Sequence, residues 1–264
     1  MSNEVTGFLP RILAIAKNTF RETVRDRILY NLILFVLLIT AGAVFLGDLT
    51  VGQEARVIVN LGLSATLIFG TFISIFVGVS LVWKEIEKRT VYSILSKPVG
   101  RGEFIIGKYL GLCLTLLVNV AVMGLGATLA LLYVNGSKFA GMIWPAILLI
   151  FLELTILTAV AIMFSSFSTP ALSALLTFFV FVIGHFSSSL RDLAQEMGST
   201  PARLFFDAVY YLLPNFSHFS FITETSNLMT PPVSMLGGSL LYAVIYDIIL
   251  LTITVVIFSR RNFK

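Results

Sequence analysis

Charge, cysteine and histidine are all scarce in this chain. Only 12% of its 264 residues are Asp, Glu, Lys or Arg, with one cysteine and two histidines. A lone thiol, Cys113, excludes a disulfide framework and any paired-thiol metal or redox motif; inside an apolar run it reads as a small packing residue. Two separated histidines and seven scattered methionines supply no cluster of soft ligands, so no metal site is expected. Also missing are internal repeats, low-complexity tracts and any linker that would divide the chain, so 1–264 reads as a single domain.

What is abundant is apolar. Hydrophobic residues make up 57% of the chain and the mean hydropathy is +0.96, beyond the range of a soluble globular domain. The apolar runs exceed the roughly 18 to 20 residues that cross about 30 Å of hydrocarbon as a helix, and the alternation of a membrane β-barrel is absent. The fold class is therefore an all-α membrane protein. Six transmembrane helices are predicted: Ile28–Leu46, Val57–Val82, Phe104–Tyr133, Met142–Phe164, Thr169–Ser189 and Gly238–Phe258. Ahead of them, residues 1–27 are too long and too mixed in charge for a cleaved signal peptide. There Leu9, Ile12, Leu13, Ala16, Phe20 and Val24 recur at helical spacing, with Lys17, Arg21 and Arg25 on other faces. This pattern predicts a cytoplasmic interfacial helix, the alternative being an extension of the first span.

Orientation follows from Lys and Arg. With the N-terminus inside, 14 of the 18 lie in the inner segments (Arg11–Arg27, Lys84–Lys108 and Arg260–Lys264), and only Arg56, Lys138, Arg191 and Arg203 lie outside. A multi-pass protein of the cytoplasmic (inner) membrane with both termini cytoplasmic is expected. The inner connections are unequal: Ser165–Ser168 is a tight uncharged turn before Pro170, whereas residues 83–108 carry six cations and three carboxylates. Ile86, Val91, Ile94 and Leu95 lie among those charges, the pattern of a short amphipathic helix presented to a soluble partner. Outside, 190–237 is dense in aromatics around Leu212-Leu213-Pro214-Asn215, which predicts short external helices before the last span.

No catalytic or nucleotide site emerges. Gly102 to Lys108 fits the first seven positions of G-x-x-x-x-G-K-[ST], but the eighth is Tyr109, Phe104, Ile105 and Ile106 are bulky, and no buried strand precedes them. Gly107 and Gly111, four apart, are better read as a close helix crossing. Three ionisable groups fall inside predicted spans: Glu153, Asp247 and His185. A charge at the bilayer centre costs about 2.5 to 3.5 kcal/mol on insertion scales, so each should face the bundle or a wet cavity. They are candidates for a transport path or for a structural role, with His185 the nearest to a plain interfacial residue.

The inner stretch Glu85-x-Glu87-x-x-Thr90, then Leu95-x-Lys97-Pro98-x-x-Arg101 and Gly107-Lys108-Tyr109, resembles the first cytoplasmic loop of ABC-2 type permeases, the membrane subunits of ATP-driven exporters. In style it is similar to the multicopper-enzyme-maturation and copper-processing permeases. The resemblance implies a coupling helix within 84–103 that docks on a separate ATP-binding subunit. Glu85, Glu87, Thr90, Ser93, Pro98 and Arg101 would form or frame that contact, with Ile94 and Leu95 as its apolar strip. It further implies a non-catalytic subunit, a homodimer with two ATP-binding subunits, and ATP and Mg held by those partners, no cofactor being bound by this chain. Membrane lipid is the other partner, and nothing points to nucleic acid. Two alternatives stand beside export: a proton-coupled secondary transporter using Glu153 and Asp247, and a mechanical transmitter acting on an external partner at 190–237.

Overall fold

The computed structural model describes residues 7–25, 41, 42, 45, 52–87, 100–187, 189, 192 and 200–260. Among these there are only helices. They are α1 (Phe8–Arg25), α2 (Glu54–Glu87), α3 (Arg101–Tyr133), α4 (Ser137–Ser165), α5 (Pro170–His185), α6 (Thr200–Leu212), a 3-10 turn (Phe216–Phe219), α7 (Ile222–Ser226) and α8 (Val233–Arg260). Four segments, Glu54–Leu81, Arg101–Tyr133, Ser137–Ser165 and Val233–Arg260, are long and apolar enough to cross a membrane. They account for four of the six predicted spans. The span predicted at Thr169–Ser189 is a helix of 16 residues, shorter than a straight crossing requires. Most of Ile28–Leu46 lies outside the described residues.

Direction alternates along the chain. The backbones of α2 and α3 approach closely at two well-separated levels, Gly62 on Ala127 and Gly136 on Ala55, which makes the pair antiparallel. α2 and α4 run parallel: Ser74 Oγ donates to the Leu154 carbonyl at 3.5 Å, and farther along Ser165 Oγ donates to that of Val79 at 2.9 Å. α8 is antiparallel to α3: Arg101 reaches the Phe258 carbonyl, and farther along α3 Tyr109 reaches Asp247. The end of α2, the start of α3, the α4–α5 turn and the end of α8 thus share one end of the bundle, called here the lower end. The α4–α5 connection is as tight as expected: α4 stops at Ser165, Ser168 N–H donates to the Phe164 carbonyl, and Pro170 opens α5, where its missing N–H costs nothing.

α4 is the central helix and α8 the peripheral one, with 78% and 17% of their apolar windows buried. Leu149, Leu154, Ile156, Leu157, Ala159, Ala161 and Ile162 of α4 are fully enclosed, whereas Leu240, Leu241, Ile245, Ile248, Ile249 and Ile253 of α8 are exposed. α2 comes close to α4 through small residues: a Cβ on Gly70 would collide with Leu154, and one on Gly78 would lie 2.9 Å from the Ala161 methyl.

α1 is amphipathic, but its buried edge is turned relative to the stripe read from sequence. Ile12, Ala16, Thr19 and Thr23 are buried, while Leu9 and Leu13 are exposed. The helix runs alongside the start of α3 in the same direction, and the small pair Gly107 and Gly111 is where the two meet. A Cβ on Gly107 would lie 2.7 Å from Ile15 Cβ, and one on Gly111 would lie 2.6 Å from the Ala16 carbonyl oxygen. Arg11 pairs with Glu103 at 3.8 Å, and the nearly enclosed Lys108 ammonium pairs with Glu22 at 3.5 Å. Glu103 also accepts the Gly100 N–H at 2.8 Å, the carboxylate half of a capping box, at the start of α3.

Gly111→Leu should lower the melting temperature of the detergent-purified protein, since overpacking costs about 1 to 3 kcal/mol. Gly141→Leu, where nothing lies within 4 Å of the new Cβ, is the control and should leave it unchanged. Equal melting of the two would show that the α1–α3 contact is not tight.

Candidate functional site

The eight residues expected to contact an ATP-binding subunit are only partly described. Glu85 and Glu87 belong to the last turn of α2, whereas Thr90, Ser93, Ile94, Leu95 and Pro98 lie outside the described residues. Arg101 is the first residue of α3, and its guanidinium donates to the carbonyls of Phe258, at 3.2 Å, and Ser259. Those carbonyls belong to the last turn of α8, so the cation sits at the negative end of the helix dipole.

The three ionisable groups of the spans fall into two sites on opposite sides of α4. At the first, Glu153, 1% exposed, places Oε1 3.5 Å from Nε2 of His185 on α5. The other ring nitrogen, Nδ1, is 3.2 Å from the Phe181 carbonyl, which can only accept, so Nδ1 carries a proton. Nε2 and Oε1 stand at ion-pair distance, and Oε1 makes no hydrogen bond among the described residues. A pair that is neutral as a whole, acid with imidazole or carboxylate with imidazolium, is what an apolar interior tolerates. His185 is therefore not the plain interfacial residue its sequence position suggests. Glu153 is met by this imidazole rather than by a neighbouring hydroxyl.

The segment between α6 and α8 closes that site at the upper end. Phe216 is fully enclosed, 5.8 Å from the His185 ring and 6.4 Å from Phe181. It fits there because position 184 is glycine: a Cβ would stand 2.5 Å from the Phe216 ring and 2.7 Å from the Pro214 carbonyl. Asn215 caps the 3-10 turn by accepting the Ser217 N–H at 3.0 Å, and its own N–H donates to the Tyr242 hydroxyl of α8 at 2.9 Å. The Leu212-Leu213-Pro214-Asn215 run is thus a hinge that turns the exposed α6 into a plug seated between α5 and α8.

The second site lies between α3, α4 and α8. The hydroxyls of Tyr109 and Thr155 stand against the Asp247 carboxylate, and the Cys113 thiol lies beside Tyr109. Thr155 donates its proton to the Leu152 carbonyl at 2.7 Å. Asp247 Oδ1 is buried with no hydrogen-bond partner among the described residues, and so are both polar atoms of Asn119 on α3. Sequence reading found Asp247 but not Tyr109, Thr155 or Asn119. Asn119 was visible as an amide inside a span; the other two look like ordinary span residues. Among the described residues no group of three or more His, Cys, Asp or Glu could hold a metal ion.

A multi-pass helical bundle with unequal ends and carboxylates at membrane depth fits a transport subunit. The family description "ABC-2 family transporter protein" matches residues 13–263, nearly the whole chain. The chain belongs to the ABC-2 transporter family. A comparison with curated proteins finds no match. As an ABC-2 type permease it is a membrane-embedded transport subunit of an ABC system, a component that works with an ATP-binding partner subunit and is typically not itself catalytic.

Breaking the Glu153–His185 pair should destabilise the permease by about 3 to 5 kcal/mol, the range for an orphaned buried partner. Thermal melts of His185→Ala, Glu153→Gln and the double variant form a cycle in which the singles add to clearly more than the double. Strict additivity would mean that the two groups do not interact.

Proposed function

We propose that the chain is the membrane subunit of an inner-membrane exporter, with both termini cytoplasmic, and that it receives ATP-driven motion through the stretch 84–103. One observation carries this reading. The helices that flank the stretch, α2 and α3, are antiparallel neighbours whose lower ends lie beside the α4–α5 turn and the end of α8. A push delivered there reaches every long helix of the bundle at once. The only other described connection at that end, Ser165–Pro170, has no charge and no length with which to hold a partner.

In this reading Ile28–Leu46 and Thr169–Ser189 complete six spans, α1 lies at the cytoplasmic leaflet with Leu9 and Leu13 toward lipid, and a coupling helix forms within 84–103. Glu85, Glu87, Thr90, Ser93 and Pro98 frame the contact around Ile94 and Leu95, and Arg101 borders it from the start of α3 with its guanidinium turned to the end of α8. Two permease chains assemble with two ATP-binding subunits, which hold ATP and Mg. The exposed helix α8 is the largest apolar surface available for lipid or the second copy. The substrate class is open between lipid, glycolipid, peptide and drug. A copper cargo has no soft-ligand cluster to receive it.

A second reading has its own observation. Glu153 and His185 face each other at 3.5 Å inside the bundle, with Phe216 against the His185 ring. Such a pair could pass a proton or a polar substrate when the plug lifts, which would make the external segment a lid or a proton gate. Transport that persists without nucleotide and follows a pH gradient would identify that case.

The test of the first reading is Glu85→Lys with Glu87→Lys in the full chain. The double variant should insert in the membrane normally but lose the ATP-binding subunit on purification in mild detergent, or keep it with ATP hydrolysis that no longer responds to the permease. Unchanged co-purification together with unchanged hydrolysis would overturn the assignment of 84–103.

A further inference from the structure

We propose that Arg101 is a positioning residue that ties α8 to the start of α3, so that the last helix follows whatever displaces the stretch 84–103. This rests on the reading of that stretch as the receiver of ATP-driven motion, and it adds a second element that the motion must reach. The guanidinium comes from a residue 157 positions away in sequence and donates to two successive carbonyls, of Phe258 and Ser259. A basic residue on α8 itself would be enough to complement the dipole, and Arg260 is there to do so. A cation brought from α3 does something more: it joins the first residue of one helix to the last turn of another. Both bonds come from one guanidinium nitrogen, Nη1, which sets its two N–H groups on the two acceptors.

The apolar contact between α3 and α8 is too limited to do this alone. Near the lower end it consists of Gly102 against Val255 and Phe104 stacked on Phe258. Above these the two helices line a groove of about 450 Å³, with Gly102 and Ile106 on one wall and Ile248, Leu251, Thr252 and Val255 on the other. The next polar approach is Tyr109 to Asp247. At this depth α8 also buries Leu250, Thr254 and Phe258. The Arg101 contact is the polar connection that ties this packed end of α8 to the first residue of α3. Without it, the groove leaves α8 room to lag behind a displacement at the start of α3.

The test uses the permease purified with its ATP-binding subunits, in nanodiscs and in a Cys113→Ser background. Hydrogen–deuterium exchange is followed in α3 peptides (101–116) and α8 peptides (245–260), with and without ATP plus vanadate. In the wild-type complex both should respond to nucleotide. Arg101→Ala should keep the α3 response and lose that of α8, with Arg101→Lys intermediate. A disulfide between Gly102→Cys and Val255→Cys, neighbours across the same contact, should restore the α8 response in the Arg101→Ala chain. A merely structural role for Arg101 would not show that rescue. An α8 response that persists in Arg101→Ala, or a wild-type complex in which α3 responds and α8 does not, would overturn the proposal. If α3 itself shows no response in the wild type, the failure belongs to the receiver assignment of 84–103. Should Arg101→Ala not fold, the disulfide-locked Arg101→Ala chain and the Arg101→Lys variant decide the matter alone.

Discussion

Helices surrounded by hydrocarbon gain little by hiding apolar side chains from one another, so close backbone approach at small residues decides which helices touch. Nearly everything in this permease depends on that constraint. Gly70 and Gly78 bring α2 onto α4, and Gly107 and Gly111 bring α1 onto α3. Once backbones are this near, polar contacts between helices become short enough to form. Ser165 reaches the Val79 carbonyl, and Lys108 reaches Glu22. Gly107, the second glycine of the apparent phosphate-binding loop, is in fact part of the floor of a helix crossing. The lysine that completes the false motif is one side of the ionic bracket over it.

Polar groups in an apolar medium must find partners, and here they find them across helices. Glu153 meets His185, Asp247 meets Tyr109 and Thr155, and the carbonyls in the last turn of α8 meet Arg101. Each bridge links α5, α4, α3 or α8 to a neighbour at a different height. The bundle is thus bound by a few directional contacts laid over a seam of small residues. Among the buried atoms without a hydrogen-bond partner, those of Asn119 and Asp247 Oδ1 lie on α3 and α8, and Glu153 Oε1 and the hydroxyls of Thr71 and Ser173 show that the pairing is incomplete elsewhere too.

Much of the architecture was legible in the residues. Run length and hydropathy located four helices, Pro170 placed the tight turn, and the small pair at 107 and 111 signalled a crossing. The short helices before the last span were signalled by their aromatics. Local pattern could not say that α1, rather than a span, fills the crossing. Nor could it say that Leu9 and Leu13 stay exposed while Thr19 and Thr23 turn inward. Periodicity reports an amphipathic face, but which edge is buried depends on the partner helix. The pairing of Glu153 with His185, and the convergence of Tyr109, Thr155 and Asp247, join residues far apart in sequence. Such contacts leave no local signal. The two predicted helices that carry the rest of the reading, the first span and the coupling helix, fall on residues outside the described set.

Glu153 and Thr155 are two positions apart on α4, so their side chains leave the helix about 200° apart. One takes part in the His185 site and the other in the Asp247 site. The central helix therefore works as an axle with a tooth on each side. Turning it about its own axis disengages both polar sites together, and sliding it lowers or raises both relative to their partners. The two carboxylates of the membrane interior are in this way geared to each other, although neither touches the other.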